Sequence, residues 1–202
     1  MNKKPVIEVR DLGCKFGNQA VLEGVNLDVY EGEVLVIMGG SGSGKSTILR
    51  HLIGTYIPDA GSVKIFGEDL ALLNEDSMNK IRRQFGILFQ SGALFNSMSV
   101  ADNVALSLRE HTDLDPDIIS FIVKIKLEQV GLREAADKNP SEISGGMKKR
   151  AGLARALALD PKLLFYDEPS AGLDPVTSAS IDQLILDLAK KLELQALLLR
   201  MK

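Results

Sequence analysis

The sequence predicts an α/β fold, and three stretches carry the prediction. Glu33 to Met38 is a short apolar run rich in β-branched residues; a glycine loop follows it, and then Ser46 to Ile53 places Ile48, Leu49, Leu52 and Ile53 on one helical stripe. Strand, loop and helix thus follow one another directly. Leu163 to Tyr166 is a second buried-strand pattern, and it runs into the acidic pair Asp167-Glu168. Between these two strands, the stretch from Ser91 to Asn139 is mostly helical in its apolar spacing.

The bulk numbers bound the reading. The 202 residues suit one domain with two lobes, and 45% hydrophobic content is enough for a real core. A formal net charge of −3 speaks against a dedicated nucleic-acid binder. Cys14 is the single cysteine, so no internal disulfide is possible and a reducing compartment fits. Met1-Asn-Lys-Lys-Pro5 leads into an alternating strand rather than an apolar signal core, and no run reaches the roughly 18 apolar residues of a membrane span.

The elements follow in chain order. Ile7–Asp11 and Val21–Tyr30 are strand-like, with Phe16-Gly17 between them. Gly39-Gly-Ser-Gly-Ser-Gly-Lys-Ser46 then matches the phosphate-loop pattern in full, in its required setting of strand and helix. Gly39, Gly40, Gly42 and Gly44, with Ser41 and Ser43 between them, let the backbone bend so that several N–H groups face one anion. The helix start at Lys45, Ser46 and Thr47 adds unpaired donors and a dipole. Lys45 supplies a point charge for the outer phosphates of a nucleotide, and Ser46 a hydroxyl for Mg²⁺.

Gln90 ends the strand Gly86–Phe89. Val100, Val104 and Leu108 form one helical stripe, and Ile118 to Val130 holds another. A helix from Ser144 to about Leu159 has Met147, Ala151, Ala154 and Ala158 as its apolar face, with Lys148, Lys149, Arg150 and Arg155 mostly facing elsewhere; the cluster Lys148-Lys149-Arg150 reads as a solvated face rather than a nucleic-acid contact. Asp160-Pro161 ends it, because proline cannot continue a helix. Asp167 closes the next strand, at the end of a sheet where ligands bind, and suits a Mg²⁺-holding role; Glu168 is placed to act as general base on water. Asp174-Pro175 is a helix start, and Ile181, Leu184, Ile185, Leu188 and Leu192 form the stripe that packs that helix on the sheet.

The phosphate loop, Ile143-Ser-Gly-Gly-Met147 and Leu163-Leu-Phe-Tyr-Asp-Glu168, in this order, resemble the ATP-binding cassette (ABC) family from about Ile7 to Leu199. The resemblance implies a P-loop NTPase core with an N-terminal antiparallel β subdomain and an inserted α-helical subdomain. It implies a single domain over residues 1–202, with a nucleotide-binding core at about 1–90 and 156–202 and the helical subdomain at about 91–155. It implies that Phe16 stacks on adenine, that Gln90 touches Mg²⁺ and the attacking water, and that Glu168-Pro-Ser-Ala-Gly-Leu-Asp174 contacts an opposite cassette. Ser144, Gly145, Gly146 and Met147 would cover the γ-phosphate held by a partner's Lys45, in a head-to-tail homodimer with ATP at its interface. The family's usual residue at Met147 is glutamine, whose amide hydrogen bonds methionine cannot repeat.

Phe89-Gln-Ser-Gly-Ala-Leu-Phe95 and Leu108-Arg-Glu-His-Thr112 resemble the ATPase subunit of MCE-associated lipid transporters of Gram-negative bacteria, a group that Met147 also fits. That likeness implies a permease subunit, a small accessory subunit and an MCE-type lipid-binding protein as partners. It also implies a cytoplasmic place on the inner face of the inner membrane. His111 then has a surface or coupling role, and His51 is a packed or edge residue.

One family feature has no counterpart. A switch histidine is expected after the strand Ala196–Leu199, and Met201 stands about there; the two histidines, His51 and His111, both precede Glu168. Either the chain is a C-terminally short form that lacks the family's closing strand and helices, or it is a natural cassette with weak hydrolysis. Three functions remain open: a transport ATPase, a cassette that binds ATP without efficient turnover, and a soluble ABC protein of repair or translation.

Overall fold

The computed structural model describes residues 4–192 and 195–201; the ends of the chain at residues 1–3 and 202, on which part of the sequence reading fell, lie outside the described residues. The chain begins with β1 (Pro5–Phe16) and β2 (Gln19–Tyr30), an antiparallel hairpin closed by Gly17-Asn18 with Phe16 opposite Gln19. Strand β3 (Val34–Gly39) leads through the glycine loop into α1 (Lys45–Leu52). Strands β4 (Ala60–Ile65) and β5 (Glu68–Asp69) return to the hairpin, and α2 (Glu75–Arg82) leads to β6 (Phe85–Leu88). Three helices follow: α3 (Val100–His111), α4 (Pro116–Gln129) and α5 (Gly145–Ala156). The chain re-enters the sheet as β7 (Leu163–Asp167), packs α6 (Pro175–Lys191) on it, and reaches β8 (Gln195–Met201).

Two sheets result. One is antiparallel in the order β2-β1-β4-β5; the other runs β3-β8-β7-β6, with every described pairing parallel. Leu163, Leu164, Phe165 and Tyr166 of β7 are fully buried, as a central parallel strand covered on both faces must be. The core divides along that sheet. Leu163 and Phe165 join Ile48, Leu49 and Leu52 of α1 and the antiparallel sheet, whereas Leu164 and Tyr166 join α3–α6 on the other face. The predicted stripes of α3 and α4 are buried at Val100, Val104, Leu108, Ile119, Val123 and Leu127.

Helix α5 ends at Ala156, three residues before the predicted Leu159. Leu157 and Ala158 are buried although they lie beyond the helix, so the apolar pattern outlasts the helical hydrogen bonds. No helix of the described residues is long and apolar enough to cross a membrane.

Candidate active site

The parallel register sets the site at one end of the second sheet. Gly39 ends β3, Asp167 ends β7, and Gln90 follows β6 by two residues, so all three lie at the carboxyl ends of strands of one parallel sheet, with β8 between β3 and β7. A cleft of about 360 Å³ opens there, lined by Val21, the loop from Ser41 to Thr47, Gln90 and Glu168. A larger cavity, about 830 Å³, lies at the other end of β7 beside Lys162, among Lys4, Glu8, Lys64 and Phe66. It has no phosphate loop and lies at the amino end of the parallel strand β7, so the smaller cleft is the site.

Helix capping points to what the cleft takes. Side-chain oxygens of Asn74, Ser99, Asp115, Ser144 and Asp174 cap α2 to α6, each accepting from backbone N–H groups of the first turn. Helix α1 alone among these six begins on a glycine, Gly44, in the left-handed region at φ 88° and with no side-chain cap. Its first-turn donors are left for a ligand, which is the chemistry of an anion site.

Lys45 is buried at 6% exposure, and its Nζ donates to the carbonyls of Gly39 at 3.0 Å and Gly40 at 2.8 Å. The same Nζ lies 3.8 Å from Glu168 Oε1. Glu168 holds φ 48°, the left-handed region that costs a non-glycine residue, immediately after the rigid β7. Ser46 Oγ donates to Asp167 Oδ1 at 3.5 Å. A hydroxyl and a carboxylate side by side suit a hard cation such as Mg²⁺, whose remaining ligands come from phosphate and water. Among the described residues no cluster of three or more His, Cys, Asp or Glu side chains is arranged for a metal.

Gln90 itself is exposed, but the loop that carries it is clamped. Lys149 Nζ donates to the Gln90 carbonyl, and Arg155 donates to the carbonyls of Ala93 and, at 3.1 Å, Gly92. A Cβ on Gly152 would come within 3.0 Å of the Gly92 oxygen, so this glycine lets α5 press on the loop's backbone. On the other side, Asn103 Nδ2 donates to the carbonyls of Phe95, Met98 and Ser99. This corrects the expectation of a solvated basic face. Lys149 is 5% exposed, and burial lowers its ammonium below the usual lysine range against the opposing pull of Asp167 and Glu168. Arg150 also points inward, donating to the carbonyl of Val130 and to Ser180 Oγ. Nothing local announces the inward turn of Lys149 and Arg155, whose loop partners lie some 60 residues away on the chain.

The remaining predicted residues lie apart from the cleft. Phe16, at the hairpin's end, is 51% exposed and meets Tyr56 edge-on at 5.8 Å between ring centroids. Ser144 caps α5, accepting from Met147 N at 3.3 Å. Gly145 is exposed and Gly146 buried, while Met147 lines a different cleft with Leu132, Arg133 and Lys138. One chain therefore brings together Ser41 to Thr47, Gln90, Asp167 and Glu168 but not Ser144 to Met147. His51 is buried with Nδ1 2.8 Å from the Thr47 carbonyl, and His111 is exposed at the end of α3. The pairing of β3 with β8 sets Met201 opposite Gly39.

The comparisons agree with this geometry. The model of the ABC transporter family matches residues 22–171. The chain is 49% identical over 187 residues to the "probable ribonucleotide transport ATP-binding protein mkl" of Mycobacterium leprae; the match covers 93% of this chain and spans about half, 54%, of that protein's length. It is 45% identical over 192 residues to the "intermembrane phospholipid transport system ATP-binding protein MlaF" of Haemophilus influenzae, covering 95% of this chain and 73% of that one. The solved dimer of the ATP-binding cassette MJ0796 in a post-hydrolysis state, bound to ADP and Pi, superposes with a TM-score of 0.85 at 30% identity over 96% of this chain and 87% of that one. Family model, relatives and an uncapped phosphate-loop helix facing an acidic pair agree: the chain belongs to the ABC transporter family and carries its ATPase domain.

Proposed function

We propose that this chain is the ATP-hydrolysing subunit of a transporter that moves phospholipid or another lipid across or between bacterial membranes. The observation that carries the reading is the cleft in which Lys45 and Glu168 face each other at 3.8 Å beside an uncapped helix start. Among the described residues Lys45 has two carbonyls and one carboxylate as partners, and the outer phosphates of ATP are a stronger match for an ammonium. As Lys45 turns to them, Glu168 is freed to orient a water and take its proton. The water oxygen then bonds to the γ-phosphorus in line with the departing β,γ-bridging oxygen, giving ADP and phosphate. Gln90 would offer metal and water a neutral amide that does not compete as a base. Ser46 and Asp167, with Gln90, would hold Mg²⁺, which would supply charge neutralisation on the phosphates.

The helical lobe, about residues 91–155, is the part that engages a permease, with a small accessory subunit and an MCE-type lipid-binding protein in the same system. The assembly sits on the cytoplasmic face of the inner membrane. Lipid as the cargo is supported by the likeness to MlaF, whose name is that of a phospholipid system, and by the middle segment around Phe89–Phe95. Ribonucleotide is the rival cargo, from the name of mkl. With the permease reconstituted in vesicles, phospholipid and not ribonucleotide stimulates ATP turnover under this reading; the reverse result would transfer the assignment to nucleotide transport.

One observation favours a second reading, in which the chain binds ATP without efficient turnover. Met201, paired with Gly39, stands about where the family's switch histidine is expected. Losing one donor to a transition-state oxygen costs about 10²–10³-fold in turnover. Steady-state hydrolysis beside Glu168→Gln, with ATP affinity measured in parallel, separates the two. The transport reading expects turnover to fall about 10²–10⁴-fold in Glu168→Gln with ATP affinity kept. Tight ATP binding with equal, negligible turnover in both proteins would establish the second reading instead.

A further inference from the structure

Helix α1 carries the phosphate loop at one end and a compact aromatic cluster at the other. After Leu52 the chain turns back at once: Gly54 holds φ 68°, and the N–H groups of Thr55 and Tyr56 both donate to the Arg50 carbonyl, at 2.8 and 3.1 Å. Tyr56 is thereby fixed to the last turn of α1. Its ring is held on several sides. Arg50 Nη1 donates to the Tyr56 hydroxyl at 2.6 Å, and the guanidinium carbon is 5.3 Å from the ring centroid. The buried His51 ring meets it edge-on at 5.7 Å, and His51 is itself tied to the Thr47 carbonyl. The remaining neighbour is Phe16, whose ring stands at 73° to that of Tyr56.

Phe16 needs such a neighbour. It ends β1 next to a two-residue turn, half-exposed, and Tyr56 is the aromatic ring it meets. We infer that Tyr56, held by Arg50 and His51, is a positioning residue for the nucleotide's base: it fixes the Phe16 ring at a set distance from the phosphate loop, with α1 as the spacer. This rests on the reading of Phe16 as the base platform. The eight residues of α1 make that spacer about 12 Å long. Base and phosphates are thus referred to the two ends of one rigid helix, and a ring held in place before the base arrives loses less freedom on binding.

The test measures, on the full chain, the affinity for ATP and for inorganic tripolyphosphate, which has no base. Tyr56→Ala is expected to weaken ATP about 3–10-fold, the cost of immobilising a side chain on binding, and to leave tripolyphosphate within about twofold. Arg50→Met, on an exposed residue, removes the hydroxyl's partner and gives a smaller loss in the same direction, which keeps the inference testable should Tyr56→Ala not fold. Phe16→Ala weakens ATP at least as much, and adding Tyr56→Ala to it costs little more, because both act through one contact. Equal losses for the two ligands would mean damage to the phosphate loop and would overturn the inference. So would unchanged ATP affinity in Tyr56→Ala and Arg50→Met beside a weakened Phe16→Ala. No effect of Phe16→Ala would instead remove the base-platform reading, and this inference with it.

Discussion

Gly145 and Gly146 stand side by side at the start of α5, yet their surroundings differ. A Cβ on Gly145 would meet nothing nearer than Leu173 Cδ2 at 3.4 Å, whereas one on Gly146 would lie 2.6 Å from Thr177 Cγ2 on α6. Covering a partner's γ-phosphate, the role the family resemblance implies for both, therefore suits Gly145; Gly146 has a packing reason of its own. Gly146→Ala should destabilise the fold by about 1–3 kcal/mol through overpacking, and Thr177→Ala should restore most of that loss in the double variant. Gly145→Ala should be neutral or slightly stabilising, since alanine is the better helix former. Urea unfolding of the parent chain, the three single variants and the double variant checks this, and additive losses in the double variant would rule out the Thr177 contact as the cause. The contrast marks what single residues disclose. Asp174 was readable as an N-cap because its partners, the N–H groups of Val176 and Thr177, are the next residues but one and two. The crowding of Gly146 was not, because Thr177 lies 31 positions away and nothing local announces it.

Between elements, the contact with the most consequence is the one α5 makes with the loop after β6. Lys149, Gly152 and Arg155 recur at three-residue steps and so share one face of the helix, and that face holds the backbone of Gln90, Gly92 and Ala93. Helix and loop are thereby coupled: the helix whose first turn carries Ser144 to Met147 also fixes Gln90. Lys149→Met should lower turnover about 10–100-fold, the scale of a misplacement of about 1 Å at a reacting centre, while ATP affinity changes little. Stability should hold or rise, because the substitution removes a charge that burial disfavours. Lys149→Arg, which keeps a donor, should recover part of the turnover. A loss of stability in step with turnover would show a merely structural lysine. Elements of this kind were legible where their determinants are contiguous. The phosphate loop is complete within Gly39 to Ser46, and the stripes of α3 and α4 fall within single helices. The inward face of α5 was hidden because lysine and arginine read as solvent-facing until a carbonyl-rich loop is folded against them.

For the whole molecule the consequence is assembly. One chain places the phosphate loop, Gln90 and Glu168 around one cleft, with Asp167 beside Ser46, and Met147 on another, so the start of α5 does not line the phosphate-loop cleft of its own chain. A second copy related by a twofold axis would present the same pair of surfaces and complete two equal sites at once. Nucleotide that binds the closed pair and not the open one then drives dimerisation by mass action. Because Glu168→Gln slows the step that destroys ATP, this variant should sediment as a dimer with Mg²⁺ and ATP, and as a monomer with ADP or without nucleotide. Ser144→Arg in the same background should leave a folded monomer that still binds ATP. The lost cap costs about 1 kcal/mol, while the long cationic side chain stands where the partner's nucleotide must approach. Sedimentation velocity on both variants decides the matter. A dimer that forms equally without nucleotide, or that survives Ser144→Arg, would mean that the copies meet through another surface, and the γ-phosphate would then lack the donors that α5 presents in this arrangement.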